Sequence, residues 1–188
     1  MNILAIGAHW DDIELGCSLT LKKLKEKGHE IFTVVVCSSQ YGKNEDEGMK
    51  EDDALECGLK SFDIIGANYI PTEKEPNSKL VYNKKIMQDM EIIASNKKID
   101  CVFTHWFGDV NTDHKITWEI SRTAFRNVKN FFMYQSNSYS DNVNSFKPNY
   151  YFSFSNEEYK IKEKLLSQYI NEWNRRKDRW SREIFERE

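Results

Sequence analysis

The 188 residues suffice for one compact core and fall short of two ordinary domains, so a single domain over 1–188 is expected. With 39% hydrophobic and 13% aromatic residues beside 30% charged ones, the composition excludes a disordered chain. A formal net charge of -3, from 27 basic and 30 acidic residues, gives no broad positive field, so nucleic acid is excluded as the expected partner.

Asn2 to Gly7 is a nearly continuous apolar run ending in glycine, the pattern of a strand covered on both faces. No basic leader or cleavage signal precedes it, which points to a cytoplasmic protein. From Leu15 to Lys27, Leu15, Leu19, Leu21 and Leu24 recur at roughly helical spacing, and Gly28 supplies a stop. Glu30 to Cys37 is rich in β-branched residues and completes a βαβ unit; it is far shorter than the ~20 residues that span a bilayer. Ser38 to Asn44 reads as a loop, Glu45 to Cys57 as a helix stopped by Gly58, and Phe62 to Ile70 as one or two short strands. Thr72 to Ser78, with Pro76, reads as a surface excursion.

Ile86, Met90 and Ile93 mark a further helix, Ile99 to Thr104 a strand, and Asp113 to Val128 another helix. Phe131 to Tyr134 and Tyr150 to Phe154 are strand candidates. Ile161, Leu165, Leu166, Tyr169, Ile170 and Trp173 form the stripe of a long final helix. Asn174-Arg175-Arg176-Lys177 is ringed by Glu172, Asp178, Glu183, Glu186 and Glu188 and reads as a solvated helix end. Trp173 and Trp180 are expected to pack on the body or on another subunit, which leaves a homo-oligomer open. Cys17, Cys37, Cys57 and Cys101 form no C-x-x-C pair, so no zinc ribbon or disulfide scaffold is indicated. The succession of elements predicts an α/β Rossmann-like fold of three layers around a mostly parallel sheet.

Two clusters fall where strands of such a sheet end. Ala8-His9-Trp10-Asp11-Asp12-Ile13-Glu14-Leu15-Gly16-Cys17 follows the first strand, and Asp109-Val110-Asn111-Thr112-Asp113-His114 follows the strand from Ile99 to Thr104. If those strands are neighbours, His9, Asp12 and His114 can hold one ion and leave a fourth position for water, as in catalytic zinc sites. Zinc would acidify that water and polarise a carbonyl, and Asp11, beside a ligand, is placed to take the proton. The same residues also admit a structural reading, with aspartates as helix caps and His9 as a core histidine.

With these residues in view, the chain resembles the PIG-L/LmbE-type de-N-acetylases, whose signature is A-H-P-D-D-x-E-L-G-C-G-G-T with a later P/N-x-D-H-type motif. The resemblance implies that His9, Asp12 and His114 hold the metal, that Asp11 is the general base, and that Asp113 tunes the protonation of the second motif. Trp10 stands where the family has proline, Ser18 and Leu19 where it often has two glycines, and Asn111 where several relatives have a histidine that stabilises the intermediate and protonates the leaving amine. An asparagine amide can donate to an oxyanion but cannot supply a proton. The acid is then Asp11 acting twice, or His105, which would titrate near neutral pH unless it is a packing residue. Arginines that grip substrate in some relatives are missing around Lys50 to Asp53, and the place of a serine-glutamine pair in the last helix falls either on Tyr169-Ile170-Asn171-Glu172 or on the nearby Ser167-Gln168. Met133 to Asn137 and Pro148 to Tyr150 resemble a segment that closes over substrate.

Trp10, His105 and Trp106 are candidate substrate contacts; Trp10, Trp106, Phe107 and Tyr41 offer rings that either stack on a sugar or pack the core. The implied activity is zinc-dependent removal of an N-acetyl group from a small-molecule amino sugar, free or carried on a nucleotide or lipid. The alternatives are an amidase for another N-acyl compound and a non-catalytic small-molecule-binding domain.

Overall fold

The computed structural model describes residues 1–39, 41–44, 47–136, 145–174, 176 and 180. The chain runs through β1 (Asn2–Gly7), α1 (Asp12–Gly16), α2 (Ser18–Glu26), β2 (Glu30–Val35), β3 (Tyr41–Asn44), β4 (Glu47–Met49), α3 (Glu51–Ile65) and β5 (Asn68–Tyr69). It continues through α4 (Lys84–Asn96), β6 (Cys101–His105), α5 (Thr112–Ala124), β7 (Asn130–Tyr134) and α6 (Asn156–Leu166). Five strands form one sheet in the order β5-β2-β1-β6-β7, parallel throughout, and β3 and β4 make a separate antiparallel hairpin.

The apolar run of β1 serves both faces of the sheet, because successive side chains point to opposite sides. Ile3 and Ala5 join the core beneath α1, α2, α3 and α6, with Leu21, Phe62 and Leu165. Leu4 and Ile6 join the core beneath α4 and α5, with Met90 and Ile120. These two layers over a parallel sheet are the Rossmann-like arrangement read from the sequence. Strand order reverses beside β1: the chain passes to β2 and β5 on one side and returns to β6 on the other. The crevice that opens at such a reversal, past the carboxyl ends of the strands, is where open α/β sheets bind ligands.

Several local expectations are corrected. The helix expected over Leu15 to Lys27 is divided at Cys17, whose extended φ of -151° separates α1 from α2. The break seats Gly16 against the Tyr134 ring, where a Cβ would lie 2.1 Å from Cδ2. Instead of a helix over Glu45 to Cys57, the β3-β4 hairpin is followed by α3, which runs through Gly58 and ends at Gly66 in the left-handed region, φ 79°. Gly58 is a contact glycine and not a stop, since a Cβ there would lie 2.0 Å from Cε3 of Trp10. The strand expected from Phe62 to Ile70 shrinks to β5, its first half being the end of α3. α5 ends at Ala124, short of Val128.

Thr72 to Ser78 is no free excursion: Ser38 N donates to Glu75 O at 2.9 Å and Glu75 N to Val36 O at 3.0 Å, drawing the segment along the end of β2. Tyr150 to Phe154 pairs with no strand among the described residues. Its aromatic residues instead lean on β7 and on one another, Phe132 against Tyr150 and Tyr150 against Phe152. α6 stops at Leu166, a turn carries Tyr169 into the core, and helix resumes at 170–174 with Ile170 65% exposed, off the expected stripe. Trp180 is buried in the body's own core, against Trp173. Arg176 pairs with Glu172, Nε to Oε2 2.6 Å, whereas Arg175 and Lys177 of that basic run lie outside the described residues. Asn137 and the Tyr41 side chain lie outside them as well.

Candidate active site

The loop after β1 is fixed by three consecutive amides donating to side chains. Ala8 N donates to His105 Nε2 at 3.0 Å, His9 N to Asp12 Oδ2 at 2.7 Å and Trp10 N to Ser39 Oγ at 2.8 Å. The turn needed to aim both His9 and Asp12 inward puts Asp11 in the left-handed region, φ 99° and ψ -25°. The loop after β6 is fixed differently. Asp109 Oδ1 accepts from Asn111 N at 2.8 Å, and Asn111 Oδ1 caps α5 by accepting from Asp113 N at 2.9 Å and His114 N at 3.4 Å. Because β1 and β6 pair directly, the two loops face each other across the crevice.

At the centre lies the Asp12 carboxylate. Its Oδ1 is 3.2 Å from His114 Nε2, and its Oδ2 is 3.3 Å from both His9 Nδ1 and His105 Nε2. The opposite nitrogens of two of these rings meet carboxylates: His9 Nε2 is 3.0 Å from Asp113 Oδ2 and His114 Nδ1 is 2.8 Å from Asp109 Oδ2. A carboxylate can only accept, so each outer nitrogen donates. That leaves the inner nitrogens of His9 and His114 with lone pairs once a cation takes the place of their protons. Donor atoms of His9, Asp12 and His114 all lie within 4.8 Å of one another, and the set of two imidazoles and one carboxylate fits zinc.

Electrostatics tell the same story. Burial would raise Asp12, but the imidazoles of His114 and His105 outweigh it and hold the carboxyl well below its usual range. Burial would lower His9 and His114, yet Asp113 and Asp12 raise the first to about 9, and Asp12 and Asp109 raise the second to about 10. The centre therefore holds positive charge, as protons or as a metal ion. Asp11 is half-buried and makes no side-chain hydrogen bond among the described residues; burial and the neighbouring Asp12 push its carboxyl well above the ordinary range.

The structure thus brings together His9, Asp12, His114, Asp11 and Asp113. Asp113, through Oδ2, accepts from His9 Nε2 and from Ser78 N at 2.7 Å, so it orients the ring of the other loop. The three expected substrate contacts fare differently. Trp10 is 3% exposed and packed between Phe62 and Tyr69, so it is a core residue; the proline's place is taken by a ring that Gly58 accommodates. His105 is wholly buried behind the centre, stacked on His114 at 4.0 Å, and burial followed by the charge of His114 lowers it to about 4. It stays neutral and cannot supply a proton near pH 7. Trp106 is 6% exposed and borders a cavity of about 820 Å³ shared with Phe107, Phe132 and Tyr150.

Asp109 and Ser78 have no assigned role in the sequence, and Tyr134 has only its place in the segment that resembles one closing over substrate. Asp109 was legible as an acid five residues before a ligand on a cap loop; Ser78 and Tyr134, whose hydroxyl donates to Ile6 O at 2.8 Å, have no local signal.

Residues 4–125 match the PIG-L family, described as GlcNAc-PI de-N-acetylase, over more than half of the 188 residues. The chain belongs to the PIG-L family. Both loops of the crevice, with every residue around Asp12, lie inside that match. A relative from Escherichia coli (strain K12), the uncharacterized deacetylase YaiS, is 31% identical over 141 residues, covering 73% of this chain and 75% of its own. Among solved structures, the N,N'-diacetylchitobiose deacetylase of Pyrococcus horikoshii superposes with a TM-score of 0.80 at 18% identity, over 97% of this chain and 75% of that one. GalB, the 4-carboxy-2-hydroxymuconate hydratase of Pseudomonas putida KT2440, shares the fold with a TM-score of 0.67 at 15% identity, over 94% and 88% of the two chains. The fold therefore carries more than one reaction, and the site must argue for its own.

Proposed function

We propose that this chain is a zinc-dependent N-deacetylase that releases acetate from an N-acetylated amino sugar or its conjugate. The observation that carries the reading is the ring of imidazoles around Asp12, with the outer nitrogens of His9 and His114 held by Asp113 and Asp109. His9, Asp12 and His114 would hold the ion. When bound, zinc supplies Lewis acidity, making water a nucleophile near neutral pH and polarising the acetyl carbonyl.

Asp11 takes the proton of the attacking water as the new C–O bond forms, and returns it to nitrogen as the C–N bond breaks, giving acetate and a free amine. Its raised pKa suits a group that must hold and then release that proton. Asn111 has committed its Oδ1 to the cap, which leaves its amide Nδ2 as the group that can donate to an oxyanion. His105, neutral and buried, accepts from Ala8 N and stacks on His114, which fixes the loop after β1 behind the centre. Trp106 borders a cavity that offers room for the substrate's carrier and is lined by none of His9, Asp11, Asp12 and His114. Cys17, Cys37, Cys57 and Cys101 form no disulfide with one another, which suits a cytoplasmic enzyme.

Metal content and acetate release test the reading together. The purified protein is expected to hold about one zinc ion that His114→Ala loses, and Asp11→Asn is expected to keep the ion while losing most turnover. Release of no acetate from a panel of N-acetyl amino sugars, free and carrier-linked, by fully loaded protein would move the reaction to another bond, as in the hydratase that shares this fold.

A further inference from the structure

His9 belongs to two donor sets. Its Nδ1 faces Asp12, 3.3 Å away, and its Nε2 faces Asp113, 3.0 Å away. A third donor stands close by: ligand atoms of His9, Cys37 and Asp113 also lie within 4.8 Å of one another, and of the two His9 nitrogens Nε2 is the one facing Asp113. Cys37 follows β2 at the same end of the sheet, wholly buried, its amide donating to Ala8 O at 2.8 Å and its backbone bridged to Glu75. Asp113 is itself 3% exposed, and its Oδ1 is buried without a hydrogen-bond partner among the described residues, which leaves acceptor capacity for a ligand.

A neutral imidazole has one lone pair, and the nitrogen carrying the proton cannot bind a metal. With the proton on Nε2, donated to Asp113, the ring serves Asp12 and His114. With the proton on Nδ1, donated to Asp12, it serves Cys37 and Asp113. The tautomer of one histidine therefore makes the two sets mutually exclusive. The sets also differ in softness: the first is nitrogen and carboxylate, the second contains a thiol, which as thiolate selects soft ions.

We propose that His9, Cys37 and Asp113 form a second, thiolate-containing site for a soft divalent ion, Cd²⁺ or excess Zn²⁺, which captures His9 and disables the first set. Binding breaks the Cys37 S–H and His9 Nε2–H bonds and forms sulfur–metal and nitrogen–metal bonds; both protons leave to solvent and no electron is transferred. The loss of activity rests on the proposed function, whereas the binding does not.

The test is a titration of the metal-free full chain with cadmium chloride, read by ultraviolet absorbance. A thiolate-to-cadmium charge-transfer band is expected in the wild type and in His114→Ala, where the first set is broken, so failure of the catalytic reading leaves this result intact. The band is expected to vanish in Cys37→Ser, and in Asp113→Asn to need at least about tenfold more cadmium. No band in the wild type, or a band retained in Cys37→Ser, overturns the proposal. If that variant does not fold, ¹¹³Cd magnetic resonance of the wild type decides: a signal in the sulfur-ligated range supports the site, and one confined to the nitrogen and oxygen range refutes it.

Discussion

Replacing Gly58 with alanine separates a contact glycine from an ordinary helical one, because the two roles predict opposite signs. In an unhindered helix interior the change stabilises by about 1 kcal/mol, alanine being the better helix former. In α3 the added Cβ would stand 2.0 Å from Cε3 and 2.4 Å from Cζ3 of Trp10. The indole cannot withdraw freely: Phe62 and Tyr69 flank it with centroids at 5.6 and 5.1 Å, and the Lys74 ammonium stands 5.3 Å over it. Forcing extra volume into such a packed site costs about 1–3 kcal/mol, with direct overlap placing this case at the upper end. Net of the helical gain, a loss of about 2 kcal/mol is expected, readable as a lower urea midpoint with unchanged slope. Since Trp10 sits between His9 and Asp11, zinc affinity is expected to fall alongside. A Gly58→Ala protein at least as stable as wild type would refute the packing argument.

Asp109→Asn removes the carboxylate that orients His114, and zinc affinity is expected to fall about 10–100-fold in a chelator competition; unchanged affinity would leave Asp109 without that role. Zinc uptake by metal-free protein at pH 7.5 is expected to expel about two protons, because His9 and His114 are raised to about 9 and about 10. Calorimetry in buffers of different ionisation enthalpy counts them, and a count of zero contradicts the electrostatics. By the same linkage, protonation of the two rings stabilises the metal-free fold fully below their ordinary value of 6.5, and that contribution is lost as pH rises through 9 to 10. Tyr169→Phe deprives the buried Glu14 of a hydroxyl donor at 2.5 Å, and a loss of about 1–3 kcal/mol in thermal unfolding is expected. Glu14, pushed by burial to about 7 from 4.5, favours folding less as pH rises across that interval, so Glu14→Gln is expected to gain stability relative to wild type at pH 8 compared with pH 4.

The central sheet was readable because β1, β2 and β6 bury both faces, which writes a nearly continuous apolar run into the chain. The metal-ligand candidates were readable because each sits in the loop or first helical turn that follows such a run, within seven residues of a glycine. What escaped reading depended on partners distant in the chain. Gly58 looked like a stop because its reason is Trp10, on another element. Tyr150 to Phe154 looked like a strand because ring-on-ring packing selects the same aromatic residues as backbone pairing does. His105 and Trp10 looked available to a ligand by their position beside the loops, whereas their burial is set by α3, β5 and the facing His114. Thr72 to Ser78 carried polar and proline residues suited to solvent, yet its amides had acceptors waiting at Val36 and Asp113.

The positive φ of Asp11 narrows the repertoire at that position before any chemistry is considered. Glycine, asparagine and aspartate enter this backbone region at little expense, while alanine, valine or glutamate meet a steric penalty of about 1 kcal/mol or more. A saturation library at codon 11 would therefore sort by fold first: asparagine isolates the loss of the acid, alanine confounds it with a distorted turn, and glutamate, though equally acidic, is disfavoured by the main chain as much as by its longer arm.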